Sequence, residues 1–431
     1  MTLQYRGVHR ARPHPWRRLA ASALALSLAL GSVTPAFAEP LSLEAALAQA
    51  GAADPGLAGA TARLASAEAR ARQAGLRPNP TLGADLENFA GTGDYGLLGA
   101  PEATFYYEQT LERGGKPAAR TGLARAELEV ARWRGRAARL DYLREVQIAW
   151  TEAMSAEAEV VIAEARYVAA RTAQTDIQRR VQAARDPLFA AARAETQTAE
   201  AEIALARART EARDAKLALA ALWGGGADFD LDVNLFFQIG DALALAPDAE
   251  SPDLALLAAE REAAIARIAV EKAGAVPDPR VRGGFRYLGD SGDVAVIIGG
   301  SIPLRRFDTN REGVARASAD RTAAEADLEA ARVGGEREIA RLQARIVASA
   351  SQAERIRTQV IPAALEAVRL VREGFARGGF QYIDVTDAER ALAEARMRRV
   401  EILKSLHLDR AALDRLTGRH LGLVISAETR S

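Results

Sequence analysis

The chain of 431 residues contains no cysteine. We therefore expect no disulfide, no thiolate metal site, no cysteine nucleophile and no acylated N-terminal cysteine. Aromatic residues are also scarce, at 5% of the chain against 49% for all hydrophobic residues. Because alanine and leucine supply much of the apolar content, a large aromatic-rich core is not expected.

Net charge is absent too, since 57 basic side chains balance 57 acidic ones. A neutral chain lacks the basic excess of a nucleic-acid binder, so we expect no nucleic-acid partner. Only four histidines are present, and no group of His, Asp and Glu residues has the spacing of metal ligands or of a catalytic set. We predict that the protein is not an enzyme and holds no cofactor and no resident metal.

The first 38 residues have the pattern of a secretory signal peptide. A basic start without acidic residues leads into an apolar run over residues 19–30, and small residues precede a cut after Ala38. A transmembrane anchor is the alternative, but about a dozen apolar residues fall short of the roughly 20 that a helical span needs. Cleavage would remove five arginines and no acidic residue, which leaves an exported, net acidic protein.

From Leu41 onward, Ala, Glu, Arg and Leu dominate, which is typical of long helices and coiled coils. The first of four helical tracts, residues 120–184, would be roughly 95 Å long at 1.5 Å per residue. A globular domain does not house such a helix, so we predict a rod or a bundle of very long hairpins. An apolar heptad seam over residues 339–370 agrees with this prediction, and Pro362 within the seam predicts a kink or a local irregularity of the helix. The other tracts cover residues 187–222, 313–376 and 381–416.

Two interruptions rich in Gly, Pro and β-formers, residues 78–116 and 277–310, predict one β-hairpin each. Their four strands have the nine to eleven residues that a tilted transmembrane strand needs. Residues 280–287 alternate apolar and polar, as in a strand with one lipid face and one wet face. A soluble hairpin capping a coiled coil is the alternative. The predicted strands are 81–89, 103–111, 280–288 and 294–304, with Phe89, Phe105, Tyr106, Tyr107 and Tyr287 as interfacial aromatics.

Four strands cannot close a membrane barrel, and an open sheet edge in lipid would leave backbone groups unpaired. If the strands span a membrane, several copies must therefore share one barrel. The order of elements also repeats after about 194 residues, which indicates a tandem duplication. We predict a signal peptide at 1–38, a first repeat at 39–224, an equatorial linker at 225–250, a second repeat at 251–418 and a tail at 419–431.

Several motifs, in order along nearly the whole mature chain, resemble those of the TolC-like outer-membrane efflux proteins. The resemblance is to the branch that serves heavy-metal cation pumps, the CzcC-like channels. The motifs are LRPNPTL at 76–82, QTLERGGK at 109–116, SIPL at 301–304 followed by FDTN at 307–310, and the segment from Gly378 to Ala388.

The resemblance implies a mainly α fold with a small β part. Very long antiparallel helices would form a trimeric α-helical barrel, and four strands per chain would contribute to a shared 12-stranded barrel in the outer membrane. The linker and the tail would form an equatorial collar. The implied partners are outer-membrane lipid, a periplasmic adaptor and an inner-membrane pump of the RND type. The implied function is export of heavy-metal cations from a Gram-negative cell.

The family's periplasmic tip lies at the turns of the helix hairpins, and Asp384 and Asp387 match its gate positions. Carboxylates converging on a threefold axis would attract cations, but a carboxylate near a helix start also caps free N–H groups. Both roles stay open for Asp384. The first repeat departs from the pattern, because RDPLF at 185–189 replaces a glycine-led turn and Ala190 stands where Asp384 is expected. The candidates for adaptor docking are Arg185, Leu188, Gly378, Phe380, Tyr382 and Ile383; burial within the closed hairpin is the alternative for the apolar ones.

Two other functions are also compatible with the sequence. An outer-membrane channel for drugs, organic solutes or a secreted polypeptide would have the same architecture. A soluble periplasmic coiled-coil adaptor or structural rod would need lipoyl-like or barrel domains around one helical hairpin, and the duplicated order lacks them.

Overall fold

The computed structural model describes residues 40–240 and 251–428. The predicted signal peptide lies outside the described residues, as do part of the predicted linker and the last three residues. In chain order the elements are α1 (Leu43–Ala53), α2 (Leu57–Ala74), β1 (Thr81–Glu87), β2 (Glu102–Thr110), α3 (Lys116–Gln182), α4 (Leu188–Ala221), α5 (Val233–Phe236), α6 (Pro252–Gly274), β3 (Arg280–Leu288), β4 (Val294–Ser301), α7 (Arg311–Arg355), α8 (Ile361–Ala376), α9 (Tyr382–Thr417) and α10 (Leu421–Glu428).

The long helices follow the predicted tracts closely. Helix α3 contains 67 residues, which at 1.5 Å per residue makes it roughly 100 Å long. It begins after Gly115, whose φ of 73° only glycine adopts without strain, and Pro117 occupies its first turn. Helix α4 returns along α3, and α9 returns along α7 and α8, so each repeat contains one long helical hairpin.

The predicted irregularity at Pro362 is a short π-helical turn, Ile356–Val360, between α7 and α8. In this turn the Ile361 N–H donates to the Ile356 carbonyl, five residues back. A proline ring clashes with the carbonyl four residues before it in a regular helix. The wider π turn relieves that clash while the helix continues.

The four strands form one antiparallel sheet in the order β1-β2-β3-β4. The two hairpins join through β2 and β3, where Phe105 lies opposite Phe285 and Tyr107 opposite Gly283. In the described part of the chain, β1 and β4 each pair on one side only. The sheet therefore carries two edges whose backbone groups have no strand partner.

The register places nearly all the large apolar side chains on one face of the sheet. The other face carries the charges, including an ion pair between Arg286 and Glu102 at 2.7 Å. Tyr106 lies on this charged face, with its ring over Gly83 and the Arg282 guanidinium 5.6 Å from its centroid. The prediction of Tyr106 as an interfacial aromatic was therefore wrong. The apolar face consists of Leu82, Leu86, Phe105, Tyr107, Val281, Phe285, Tyr287, Val294, Val296 and Ile298.

The main core lies where α1, α5, α9 and α10 pack around the middle of α3. Phe236 of α5 is fully buried there, and its carbonyl lies 3.0 Å from His407 Nε2. Burial lowers the pKa of His407. Helix α10 is held by Arg139, which donates to the Val424 carbonyl at 3.2 Å. The described part of the predicted linker and the C-terminal tail thus wrap the middle of the long helices.

Candidate functional site at the helix-hairpin turns

The two long hairpins turn at residues 183–187, between α3 and α4, and at residues 377–381, between α8 and α9. Shifting the first turn by 194 positions aligns Ala184 with Gly378, and both have positive φ angles, 54° and 83°. The left-handed conformation suits glycine but strains alanine. The same backbone path is therefore built from different residues in the two turns.

Arg180, near the end of α3, joins the two turns. Its Nε donates to Asp186 Oδ2 at 2.7 Å, and its Nη1 donates to the Phe375 carbonyl at 3.1 Å. The guanidinium also lies 4.5 Å from the centroid of the Phe375 ring. Since Phe375 belongs to α8, one arginine fixes the first turn and attaches it to the second hairpin.

An apolar cluster lies directly behind the turns and contains Ile177, Ala190, Ala194 and Tyr382. The Tyr382 hydroxyl donates to Gln197 Oε1 at 2.6 Å, which is a second link between the hairpins. Burial raises the pKa of Tyr382, so this hydroxyl stays a neutral donor at physiological pH. Next to it, Arg372 pairs with Glu389 at 2.5 Å.

Asp384 forms a capping box at the start of α9. Its Oδ2 accepts from the Gln381 backbone N–H at 2.8 Å, and the Asp384 backbone N–H donates to the Gln381 carbonyl at 3.1 Å. Asp387 lies one turn further on, with its Oδ1 3.3 Å from Arg390 Nη1. Both carboxylates are exposed. The capping role of Asp384 is therefore realised in the single chain, and it leaves the carboxylate accessible to solvent.

The predicted docking residues divide into exposed and buried ones. Leu188 is 82% exposed and Phe380 48% exposed, and Arg185 and Gly378 are also exposed. Tyr382 is only 9% exposed and Ile383 is half-buried. Burial, the alternative left open by the sequence, therefore holds for Tyr382, because its ring completes the cluster behind the turns.

The Phe380 ring rests on Gly374 of α8, and a Cβ added at Gly374 would collide with it. One side of the ring is thus held against the helix backbone while the other faces solvent. This packing restricts the rotamer of Phe380 and keeps part of its apolar ring exposed to solvent.

Arg180, Gln197 and Phe375 belong to this site but were not predicted from the sequence. Phe375 lies five residues before Phe380, and an aromatic so close to a predicted turn was an available signal. Arg180 and Gln197 carry no such signal, because the partner of each comes from the other repeat. Their roles depend on how the two hairpins pack.

Residues 40–240 and 251–428 contain no cluster of three or more His, Cys, Asp or Glu side chains placed to hold a metal ion. Within the same ranges, no helix combines the length and the apolar character of a membrane span.

Comparison with known proteins identifies the family. The outer membrane efflux protein family matches residues 46–225 and 247–419. The cobalt-zinc-cadmium resistance protein CzcC of Cupriavidus metallidurans is 30% identical over 403 residues, which cover 90% of this chain and 93% of that protein. The nickel-cobalt-cadmium resistance protein NccC of Alcaligenes xylosoxydans xylosoxydans is 28% identical over 343 residues, which cover 76% of this chain and 75% of that protein.

Solved structures share the fold. The outer membrane protein VceC of Vibrio cholerae superposes with a TM-score of 0.69 at 24% identity, covering 87% of this chain and 96% of that one. CusC, whose structures concern folding and transmembrane channel formation, superposes with a TM-score of 0.73 at 16% identity, covering 88% of this chain and 93% of that one. The predicted mainly helical fold with a small antiparallel sheet is confirmed. The chain belongs to the outer membrane efflux protein family, and it is an outer-membrane efflux protein rather than an enzyme.

Proposed function

We propose that three copies of this chain form one channel that exports heavy-metal cations across the outer membrane. The observation that carries the proposal is the four-stranded sheet, with its apolar face and two unpaired edges. In lipid, each unpaired backbone group costs several kcal/mol, so an open edge is not stable there. Pairing β4 of one copy with β1 of the next satisfies both edges, and three copies give 12 strands.

The long helices would continue the channel beyond the membrane. Each chain contributes two hairpins that extend from one end of the sheet, and three chains would enclose a tunnel. The two repeats, with the bounds predicted above, supply one hairpin each. The family resemblance adds a periplasmic adaptor and an inner-membrane pump at the far end of the tunnel.

The choice of cargo is supported by the names of two relatives. CzcC is named for resistance to cobalt, zinc and cadmium, and NccC for resistance to nickel, cobalt and cadmium. A metal ion would be cargo in transit, so it would not need a permanent set of ligands. Loss of the gene should lower tolerance to one or more of these cations, as measured by growth of a deletion strain with and without the complementing gene. Unchanged metal tolerance together with lost drug tolerance would instead favour export of organic solutes.

Asp384 and Asp387 are the proposed gate. In a trimer they would place six carboxylates around the threefold axis, which favours cations over anions. The double substitution Asp384→Asn with Asp387→Asn removes this charge, and asparagine keeps an oxygen that can accept the capping bond. We expect the permeability ratio of cations to anions to fall severalfold in reversal-potential measurements on reconstituted channels.

The matched control for the gate is Glu394→Gln, an exposed carboxylate further along α9. It should leave the permeability ratio unchanged, because it lies more than two helical turns from the tip. If the double variant kept the permeability ratio of the unmodified channel, Asp384 and Asp387 would not form the gate.

The exposed tip residues are the proposed adaptor contact. Leu188 and Phe380 present apolar surface beside Arg185 and Gly378, whereas Ile383 is half-buried and Tyr382 supports the turns from behind. Replacing both Leu188 and Phe380 with serine should abolish co-purification with the adaptor of the same efflux system. Ile203→Ser is the matched control, because Ile203 is an equally apolar side chain, 70% exposed, on α4 away from the turn.

A further inference from the structure

The end of the sheet that leads into the long helices is held together by bonds between connecting segments. The Leu111 N–H donates to the Pro279 carbonyl at 2.8 Å. The Arg113 backbone N–H donates to Asp278 Oδ1 at 2.9 Å. These bonds place the segments that precede and follow the strands next to one another at a single end of the sheet.

Large apolar side chains are exposed at this end. Phe307 is 95% exposed and Leu304 is 88% exposed. Leu111 and Ile302 are each about half exposed. Leu111 continues the odd-numbered positions on the apolar face of β2, and Ile302 continues the even-numbered positions on the apolar face of β4. The apolar face of the sheet thus extends past the strand ends into these segments.

Four arginines accompany these apolar side chains: Arg77, Arg113, Arg305 and Arg306. All four are exposed, and in the described part of the chain none lies within ion-pair distance of a carboxylate. Their basic neighbours behave differently, since Lys116 pairs with Asp278 and Arg120 with Glu112. We call the four arginines together with Leu304 and Phe307 the basic rim.

Arg306 shows how the rim combines charge with apolar surface. Its guanidinium lies 5.7 Å from the centroid of the Phe307 ring, and both side chains point into solvent in the single chain. An aromatic ring next to an arginine is typical of the interface between lipid chains and head groups. There the ring lies at the boundary, and the guanidinium extends toward the phosphates.

The opposite end of the sheet has the opposite charge. Its two connections, residues 88–101 and 289–293, contain Asp94, Asp290 and Asp293 and no lysine or arginine. Apolar side chains are exposed there as well, among them Leu97 at 83%. Of the two ends of the sheet, only the one from which the helices leave therefore has arginines in its connecting segments.

We propose that the basic rim binds the head groups of anionic phospholipids in the membrane leaflet nearest the helices. The inference rests on the proposed function, because it requires the sheet to cross the outer membrane. Leu304 and Phe307 enter the edge of the hydrocarbon layer, and the arginines contact phosphate oxygens. The contact fixes the depth of the barrel and the direction in which the helices extend.

The test uses the full-length assembly extracted from membranes in mild detergent and measured by native mass spectrometry. Phosphatidylglycerol is titrated as the anionic lipid and phosphatidylethanolamine as the zwitterionic one. We expect tighter binding of phosphatidylglycerol. Arg305→Gln with Arg306→Gln should weaken it by roughly fivefold for each arginine removed, the factor typical of one basic side chain at an anionic surface. Phosphatidylethanolamine binding should change little.

The matched control removes two arginines from α7, Arg337→Gln with Arg355→Gln. Both side chains are exposed and have no carboxylate within ion-pair distance in the described residues, so the change in net charge is the same. A second variant, Leu304→Ser with Phe307→Ser, should weaken the binding of both lipids because it removes the apolar anchor.

Three results would overturn the proposal: equal affinity for the two lipids, equal weakening in the α7 control, or unchanged lipid binding in the rim variant together with loss of adaptor co-purification. The last would identify the rim as a protein contact. Failure of the proposed function looks different, because the protein would then not be recovered from the outer membrane as a trimer.

Discussion

The two helix-hairpin turns reach one backbone shape by different chemistry. The second turn uses Gly378 for the left-handed position and a capping box between Gln381 and Asp384 to start α9. The first turn places Ala184 in the left-handed position and starts α4 after Pro187 without a side-chain cap. Its stability comes instead from Arg180, whose contacts reach into the other repeat.

The two turns therefore depend to different degrees on contacts from the rest of the chain. The second turn is capped by its own residues, and the exposed carboxylates of Asp384 and Asp387 are available for the proposed gate. The first turn depends on the second hairpin, and its counterpart of Asp384 is the buried Ala190. Structural support and the proposed ion contact are thus divided between the repeats.

Removing Arg180 should have the largest effect on this arrangement. Arg180→Ala loses a charge-assisted bond to Asp186, a bond to the Phe375 carbonyl and a ring contact, together about 2–3 kcal/mol. Hydrogen exchange should become roughly 30-fold faster or more in both turns, which separates this effect from a purely local one. Arg179→Ala is the matched control, because its exposed pair with Asp176 lies within one helix and contributes little. Faster exchange in the first turn alone would contradict the link between the hairpins.

The second link should be weaker. Tyr382→Phe removes the hydroxyl that donates to Gln197 and keeps the ring in its cluster, so we expect a loss of about 1 kcal/mol. Exchange near Gln197 and Tyr382 should quicken by roughly fivefold. Tyr167→Phe on α3 is the control, since no hydrogen bond of the Tyr167 hydroxyl is present in the described residues. An unchanged exchange rate in the Tyr382 variant would show that the bond contributes nothing to the packing of the hairpins.

The smallest effects should come from the left-handed positions, and they should have opposite signs. Ala184→Gly relieves backbone strain and should stabilise the first turn by about 0.5–1 kcal/mol, whereas Gly378→Ala should destabilise the second by a similar amount. The pair provides its own control, and protease cleavage rates at each turn provide the measurement. Destabilisation by both substitutions would mean that the positive φ of Ala184 carries no strain.

The sequence predicted the elements better than the contacts. Long helices and short strands are encoded by local periodicity, so their bounds were predicted within a few residues. Tyr106 could not be assigned to a face, because Phe105, Tyr106 and Tyr107 are consecutive aromatics and the register chooses between them. The role of Arg180 could not be predicted from the sequence, because its partner Phe375 is 195 residues away.

Because the chain contains no cysteine, the proposed assembly of several copies into one barrel can be tested directly with introduced cysteines. One cysteine in β1 and one in β4, scanned across the strands, should form disulfides between neighbouring copies in outer membranes. A cysteine pair at Ala103 and Tyr287, which lie opposite each other within one chain, is the control and should migrate as a monomer. Three chains that share one barrel should give a ladder on non-reducing gels that ends at three chains. A ladder that ends at two, continues past three or does not form would contradict it.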